Sequence, residues 1–160
     1  MEADAWPWSN LPAHSLVISR LEAVAEGSGE WRWLEVCCSL AAGRGDVLSD
    51  VDAALGYGDG VASDQLGHLA RLVVAAAGTP LDVLVHVVAG WSPDARRCAA
   101  IYEGGVQLDL VVMPASRRSG LPTGAVAVVD KDGRLAEPWR PPVEEPPSPA
   151  EAREWLLLAW

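Results

Sequence analysis

The chain has 160 residues, half of them apolar, and a net charge of -10. That is enough apolar mass for one domain with a proper core, and it argues against a general nucleic-acid binder, which needs a basic face. Cys37, Cys38 and Cys98 make neither a disulfide framework nor a metal-ligand spacing, and read as small buried apolar groups. The first ten residues are acidic and Trp-rich, unlike a secretory leader, and no apolar run approaches a membrane span. A cytoplasmic chain with no membrane partner is expected.

In chain order, Val17, Leu21, Val24 and Ala25 recur at helical spacing, and Gly27 can close that helix in a left-handed conformation. Trp31 to Cys38 reads as a mostly apolar strand, Ser39 to Ala42 as a short helical turn, and Gly43 to Leu48 as a loop. Asp50 to Leu55 is the second predicted strand. A clear amphipathic helix follows, with Leu66, Leu69, Ala70, Val73, Val74 and Ala77 on one stripe, Ser63 as N-cap, and Gly78 with Pro80 ending it. Leu81 to Ala89 is β-branched and apolar, and reads as a buried strand. Arg97 to Tyr102 and Val106 to Met113 flank Gly104-Gly105 as a hairpin, and Ala125 to Val129 with the turn Lys131-Asp132-Gly133 reads as a strand at the sheet edge. Residues 137–149 are rich in proline and acid and read as a semi-rigid linker. After it, Pro149 to Trp160 starts an apolar helix that needs a partner surface, either this sheet, another protomer or a further helical domain.

The chemistry gathers around Ser49-Asp50-Val51-Asp52. Two carboxylates two residues apart on a strand point from one sheet face, and each raises the other's cost of ionising. A cation between them offsets that repulsion. Oxygen-only ligation of this kind suits Mg²⁺, which takes one or two carboxylates and completes its shell with phosphates and water. Asp109 lies in Val106-Gln107-Leu108-Asp109-Leu110-Val111-Val112, a run typical of a strand buried on both faces. An ionised Asp there needs an Arg, hydrogen bonds or a metal. Three carboxylates on neighbouring strands can bind two cations and activate a hydroxyl.

Ser39, Gly43, Ser49, Asp50 and Asp52, with Asp109 on a later strand, resemble the signature of the DNA polymerase β-like nucleotidyltransferase superfamily. The likeness is nearest to its small bacterial members, the aminoglycoside nucleotidyltransferases and the minimal nucleotidyltransferases of toxin–antitoxin pairs, and runs in element order from Val17 to Pro114. The resemblance implies an α/β (α+β) nucleotidyltransferase fold, a mixed, mostly antiparallel sheet flanked by helices, over residues 1–136. The 137–149 linker and a C-terminal helix over 150–160 would follow. It further implies that Asp50, Asp52 and Asp109 are catalytic and hold two Mg²⁺ ions. Asp109 would also serve as general base, and Cys38, Ser39, Arg44 and Ser49 would bind the nucleotide, with ATP the expected co-substrate. One position departs: where the family has Gly-Ser, this chain has Cys38-Ser39, so a Cβ stands where backbone should approach the triphosphate.

Three functions follow from the resemblance. One is transfer of a nucleotidyl group to a small-molecule hydroxyl. Another is antitoxin-like adenylylation of a helical protein partner. The last is nucleotide binding without turnover. The Arg44-Gly45-Asp46 tripeptide reads as coincidence within the phosphate loop, His68 as a surface residue, His86 as a hydrogen-bonded core histidine, and Arg117-Arg118 as a solvated loop pair. The pairs Trp6/Trp8 and Trp31/Trp33 alternate, as expected of residues that cover the sheet or an interface, and the Trp-rich terminal segments are candidate surfaces for a homo-oligomer.

Overall fold

The apolar spacing of Val17, Ile18, Leu21 and Ala25 becomes the buried face of helix α1 (Pro12–Gly27), with Pro12 at its start, where a missing N–H is harmless. The computed structural model describes residues 5–58, 60–62, 64–87, 94–141, 149 and 153. Strand β1 (Trp31–Val36), the one-turn helix α2 (Cys38–Ala41) and strand β2 (Val51–Tyr57) follow. Then come helix α3 (Leu66–Ala77) and strands β3 (Pro80–Val87), β4 (Arg96–Tyr102), β5 (Gln107–Pro114) and β6 (Val126–Asp130). No helix among the described residues is long and apolar enough to cross a membrane.

The strands form one six-stranded sheet in the order β3-β4-β5-β2-β1-β6. β2 and β5 are parallel, and the other neighbours are antiparallel. This is a mixed α+β architecture, as the sequence predicts. The single parallel pair requires a long crossover; the α3–β3–β4 segment supplies it. α1 and α3 cover one face, burying Leu34, Val36, Val51, Leu55, Leu108, Leu110 and Val112 beneath them. The stripe on α3 holds as predicted, with Leu66, Ala70, Val73, Val74 and Ala77 buried. Each fully buried Val or Leu contributes about 1.5–3 kcal/mol.

Among the described residues the second face is covered at one end only. Trp33, Ala54, Met113, Ala115 and Leu135 form a small cluster there. Trp31 and Trp33 are two residues apart yet pack on opposite faces, because a register irregularity between them turns the strand over. Gly56 lies under the Trp33 indole, where a Cβ would overlap the ring. Gly56→Ala is expected to cost about 3 kcal/mol by overpacking, read as a lower midpoint in urea denaturation at unchanged slope.

Several expectations need correction. α1 runs through Gly27 and ends at Ser28 in an extended conformation, so no left-handed glycine closes it. β1 stops at Val36 and β2 begins at Val51, which leaves Cys37, Cys38 and Asp50 at strand ends. β3 is not buried. It is the edge strand, with Leu81 and Leu84 exposed, because α3 reaches only its inner side. β5 is fully covered on the helix face alone; on the other face Asp109 and Val111 are half-buried. The thiols diverge: Cys98 is buried, Cys37 half-buried and Cys38 exposed.

Arg118 is not solvated. It is buried against Glu35 of β1, with its guanidinium 5.0 Å from the Trp139 ring centroid and 5.9 Å from that of Trp33. Trp139 belongs to the stretch read as linker, and Arg140 N–H donates to Ser119 O at 3.0 Å, so residues 137–141 lie against the 119–120 segment. The N-cap reading of Ser63, residues 88–89 of the third predicted strand and most of the 150–160 helix lie outside the described residues.

Candidate functional site

The ladder between β1 and β2 continues one step past Val36: Cys37 N–H donates to Asp52 O at 2.9 Å. The chain then turns sharply into α2. Cys38 takes φ +61°, the only positive φ of a non-glycine among the described residues. A left-handed conformation costs a side-chain-bearing residue about 1–2 kcal/mol and is the natural place for glycine. This is the position at which the resemblance read from the sequence expects glycine. The departure seen in the sequence therefore falls where the backbone asks for that residue. Cys38→Gly is expected to stabilise the chain by about 0.5–1 kcal/mol, the strain relieved less the extra freedom of the unfolded glycine. Chemical denaturation checks it. Ser39, half-buried, follows Cys38 in the first turn of α2.

The loop from Gly43 to Asp50 is held locally. Arg44 N–H donates to Ser39 O at 2.9 Å while its side chain is exposed. Asp46 and Ser49 close a turn. Ser49 N–H donates to Asp46 O at 3.1 Å, Asp46 N–H donates to Ser49 Oγ at 3.0 Å, and Ser49 Oγ donates to Asp46 Oδ1 at 3.1 Å. The Leu48 N–H first, then the Ser49 hydroxyl, hold the Asp46 carboxyl below its ordinary value. Ser49 thus spends its hydroxyl inside the turn, and Arg44 reaches solvent. Buried His14 of α1 donates from Nε2 to Ser49 O at 2.7 Å and ties the entry of β2 to the helix layer. Nothing in the sequence pattern singled out His14, whose partner is 35 residues away.

Asp52 and Asp109 are register partners on the parallel strands β2 and β5. Paired strands lie about 4.8 Å apart, so the two side chains stand next to each other on the open face. Asp50, exposed, precedes β2 directly. Burial first, then the charges of Asp50 and Asp109, push the Asp52 carboxyl above its ordinary value, against the Cys38 thiol and Arg97, which favour ionisation. Burial and the neighbouring Cys38 thiol push Cys37 up to about 12, with Asp52 and Asp109 adding to it. The thiols of Cys37 and Cys38 are 3.5 Å apart. Asp109 is held by Arg97 of β4, whose Nε donates to Oδ1 at 2.8 Å and whose Nη2 reaches Oδ2. This bidentate pair raises the Arg97 pKa. Sequence reading left Asp109 a choice between an arginine and a metal, and Arg97 is the partner in place.

The cluster therefore unites Cys38, Asp50, Asp52 and Asp109 with Ser39 alongside, adds Arg97 and Cys37, and leaves Ser49 and Arg44 engaged or pointing elsewhere. Among the described residues no group of three His, Cys, Asp or Glu side chains converges closely enough to hold a metal ion. The donor chemistry fits a narrower site. Asp50 and Asp52 are oxygen donors whose mutual repulsion a cation would relieve, and Mg²⁺ needs only one or two carboxylates when phosphates complete its shell. Asp109 joins such a set only if Arg97 releases it. Beside the carboxylates this face of the sheet forms a concavity of about 280 Å³, lined by Asp50, Asp82, Leu84, Ala99, Ile101, Gln107 and Asp109, among others. No protein-family model matches the chain, and no curated protein matches it.

Proposed function

We propose that the chain is a Mg²⁺-dependent nucleotidyltransferase of the DNA polymerase β-like type, moving AMP from ATP onto the hydroxyl of a small molecule. One observation carries the reading. Asp52 and Asp109 are in register on adjacent parallel strands, with Asp50 two residues ahead of Asp52 and the start of α2 beside them. In this reading Asp50 and Asp52 hold the ion, which supplies charge neutralisation for the triphosphate. The backbone N–H groups at the start of α2 and the Ser39 hydroxyl receive the outer phosphates. The acceptor oxygen attacks the α-phosphorus, the bond to the β-phosphate breaks, and pyrophosphate leaves. Asp109 takes the acceptor proton once Arg97 transfers its two N–H donors to a phosphate, a ligand its planar fork suits equally well.

The test is incubation of the chain with ATP, Mg²⁺ and a panel of hydroxyl-bearing acceptors, followed by intact-mass analysis of the acceptors. A gain of one nucleotidyl group that needs Mg²⁺ supports the reading. Binding of ATP with no transfer to any acceptor supports the second reading, a nucleotide-binding module without turnover. Two observations favour that alternative: the Cβ of Cys38 in a left-handed conformation, and the Arg97 pair on Asp109.

A further inference from the structure

Strand β3 ends the sheet on its side, and among the described residues no strand pairs its outer edge. From Val83 to Val87 it has no lysine, no proline and no register irregularity, three of the usual protections of an edge. Leu84 is 47% exposed. Two side chains instead bend over the edge. Val83 N–H donates to Asp82 Oδ1 at 2.8 Å, and His86 Nδ1 donates to Val87 O at 2.9 Å. These bonds identify which backbone groups face outward, because N–H and C=O of one residue point the same way in an antiparallel strand. They are those of Val83, Val85 and Val87. Asp82, Leu84 and His86 stand on the open face of the sheet, opposite Ile101, Ala99 and Arg97 of β4.

We propose that this edge pairs antiparallel with the same edge of a second copy, about a two-fold axis through Leu84. Two-fold axes at Val83, Leu84 and Val85 all set outward-facing residues against each other. The axis at Val83 places His86 opposite Pro80, and the axis at Val85 places it opposite Leu84. Only the axis at Leu84 sets Asp82 against His86 of the other copy, and it does so twice. These fall in non-hydrogen-bonded positions, where facing side chains are closest. The local caps are exchanged one for one. The Val83 N–H passes from the Asp82 carboxylate to the Val85 carbonyl of the second copy, and the freed carboxylate takes the facing imidazole. Leu84 meets its own copy across the axis, which covers the exposed aliphatic side chain. The interface is isologous and closes at two subunits. One strand per protomer is a small area for a dimer, so association is expected to depend on concentration over the micromolar range.

Light scattering coupled to size exclusion, run on the full chain from low to high micromolar, tests this. The expected result is a monomer passing to a dimer. Val85→Pro removes an outward N–H at an edge position that tolerates proline, and is expected to leave the far-UV circular dichroism unchanged and the chain monomeric. Asp82→His and His86→Asp each set like groups face to face and should weaken the dimer roughly fivefold, while the double exchange restores it. The swap keeps the test decisive if the proline variant misfolds. A chain that stays monomeric at every concentration overturns the proposal and leaves the edge to an extended segment of another protein. A dimer indifferent to all four variants also overturns it, since the contact then lies elsewhere.

Discussion

On the proposed function, Asp52→Asn is expected to lower nucleotidyl transfer about 10²–10³-fold while leaving the fold intact, the scale seen when a pre-placed stabiliser of developing charge is removed. Asparagine is the same size as aspartate and keeps one oxygen, so the register with Asp109 is not disturbed. What it removes is the charge on a carboxyl that the fold holds at a disadvantage. Burial, Asp50 and Asp109 raise the Asp52 pKa above its unfolded value. For a group raised in this direction, the folded state binds the proton more tightly than the unfolded state. Its stabilising contribution is complete below the unfolded pKa and is lost as pH rises through the folded one. At neutral pH the ionised Asp52 therefore opposes folding, and the variant should be the more stable protein while being the inactive one. Thermal unfolding at neutral and mildly acidic pH checks the sign: the gain from Asp52→Asn should shrink as pH falls. The same scans with Mg²⁺ and ATP should stabilise the native chain more than the variant, because a ligand that binds only the folded state raises stability by mass action. A variant that keeps full activity would sink the assignment of the site, whatever its stability.

Arg118→Ala is the substitution expected to cost most stability, about 3–5 kcal/mol, because it leaves Glu35 charged and unpaired in a buried position. Glu35 is 1% exposed and Arg118 8%. Arg118 Nε donates to Glu35 Oε2 at 3.1 Å, and Nη2 reaches Oε1. The guanidinium also lies over the rings of both Trp33 and Trp139, so it joins β1 to residues 137–141. Burial lowers the Arg118 pKa, a sign that desolvation opposes its charge. Lysine cannot reproduce the two parallel bonds or the stacking, so Arg118→Lys should recover only part of the loss. Glu35→Leu with Arg118→Met removes both charges and should lie much nearer the native stability than either single change. Urea denaturation followed by tryptophan fluorescence measures all of these. Equal losses for the single and double variants would mean that packing, and not the uncompensated charge, dominates.

Local pattern accounts for much of what was legible in the chain. Helical spacing marked the buried stripe of α3, and the paired glycines marked the β4–β5 turn, where Gly104 and Gly105 both have positive φ. It also marked Asp50, Asp52 and Asp109 as acids in awkward places, and Cys38 as an odd residue ahead of Ser39. Each of these rests on the period of an element or the chemistry of neighbours in sequence. Errors came where a strand's place in the sheet decides its surroundings. The apolar run of β3 reads as buried because β-branched composition is the same in central and edge strands, and only the order β3-β4-β5-β2-β1-β6 puts it outside. Arg118 reads as solvated because its partner, Glu35, is 83 residues away.

The sequence by itself determined which residues were chemically costly: two acids two residues apart, a third in an apolar run, and a side chain where the resemblance expects glycine. Only the tertiary structure decided how each is accommodated. The parallel pairing of β2 with β5 sets Asp52 against Asp109, the β4–β5 hairpin brings Arg97 onto Asp109, and the turn into α2 puts Cys38 in a left-handed conformation beside Asp52. These contacts join residues far apart in the chain. Charge, burial and backbone strain at such a point depend on register and layer order, which no local stretch of sequence carries.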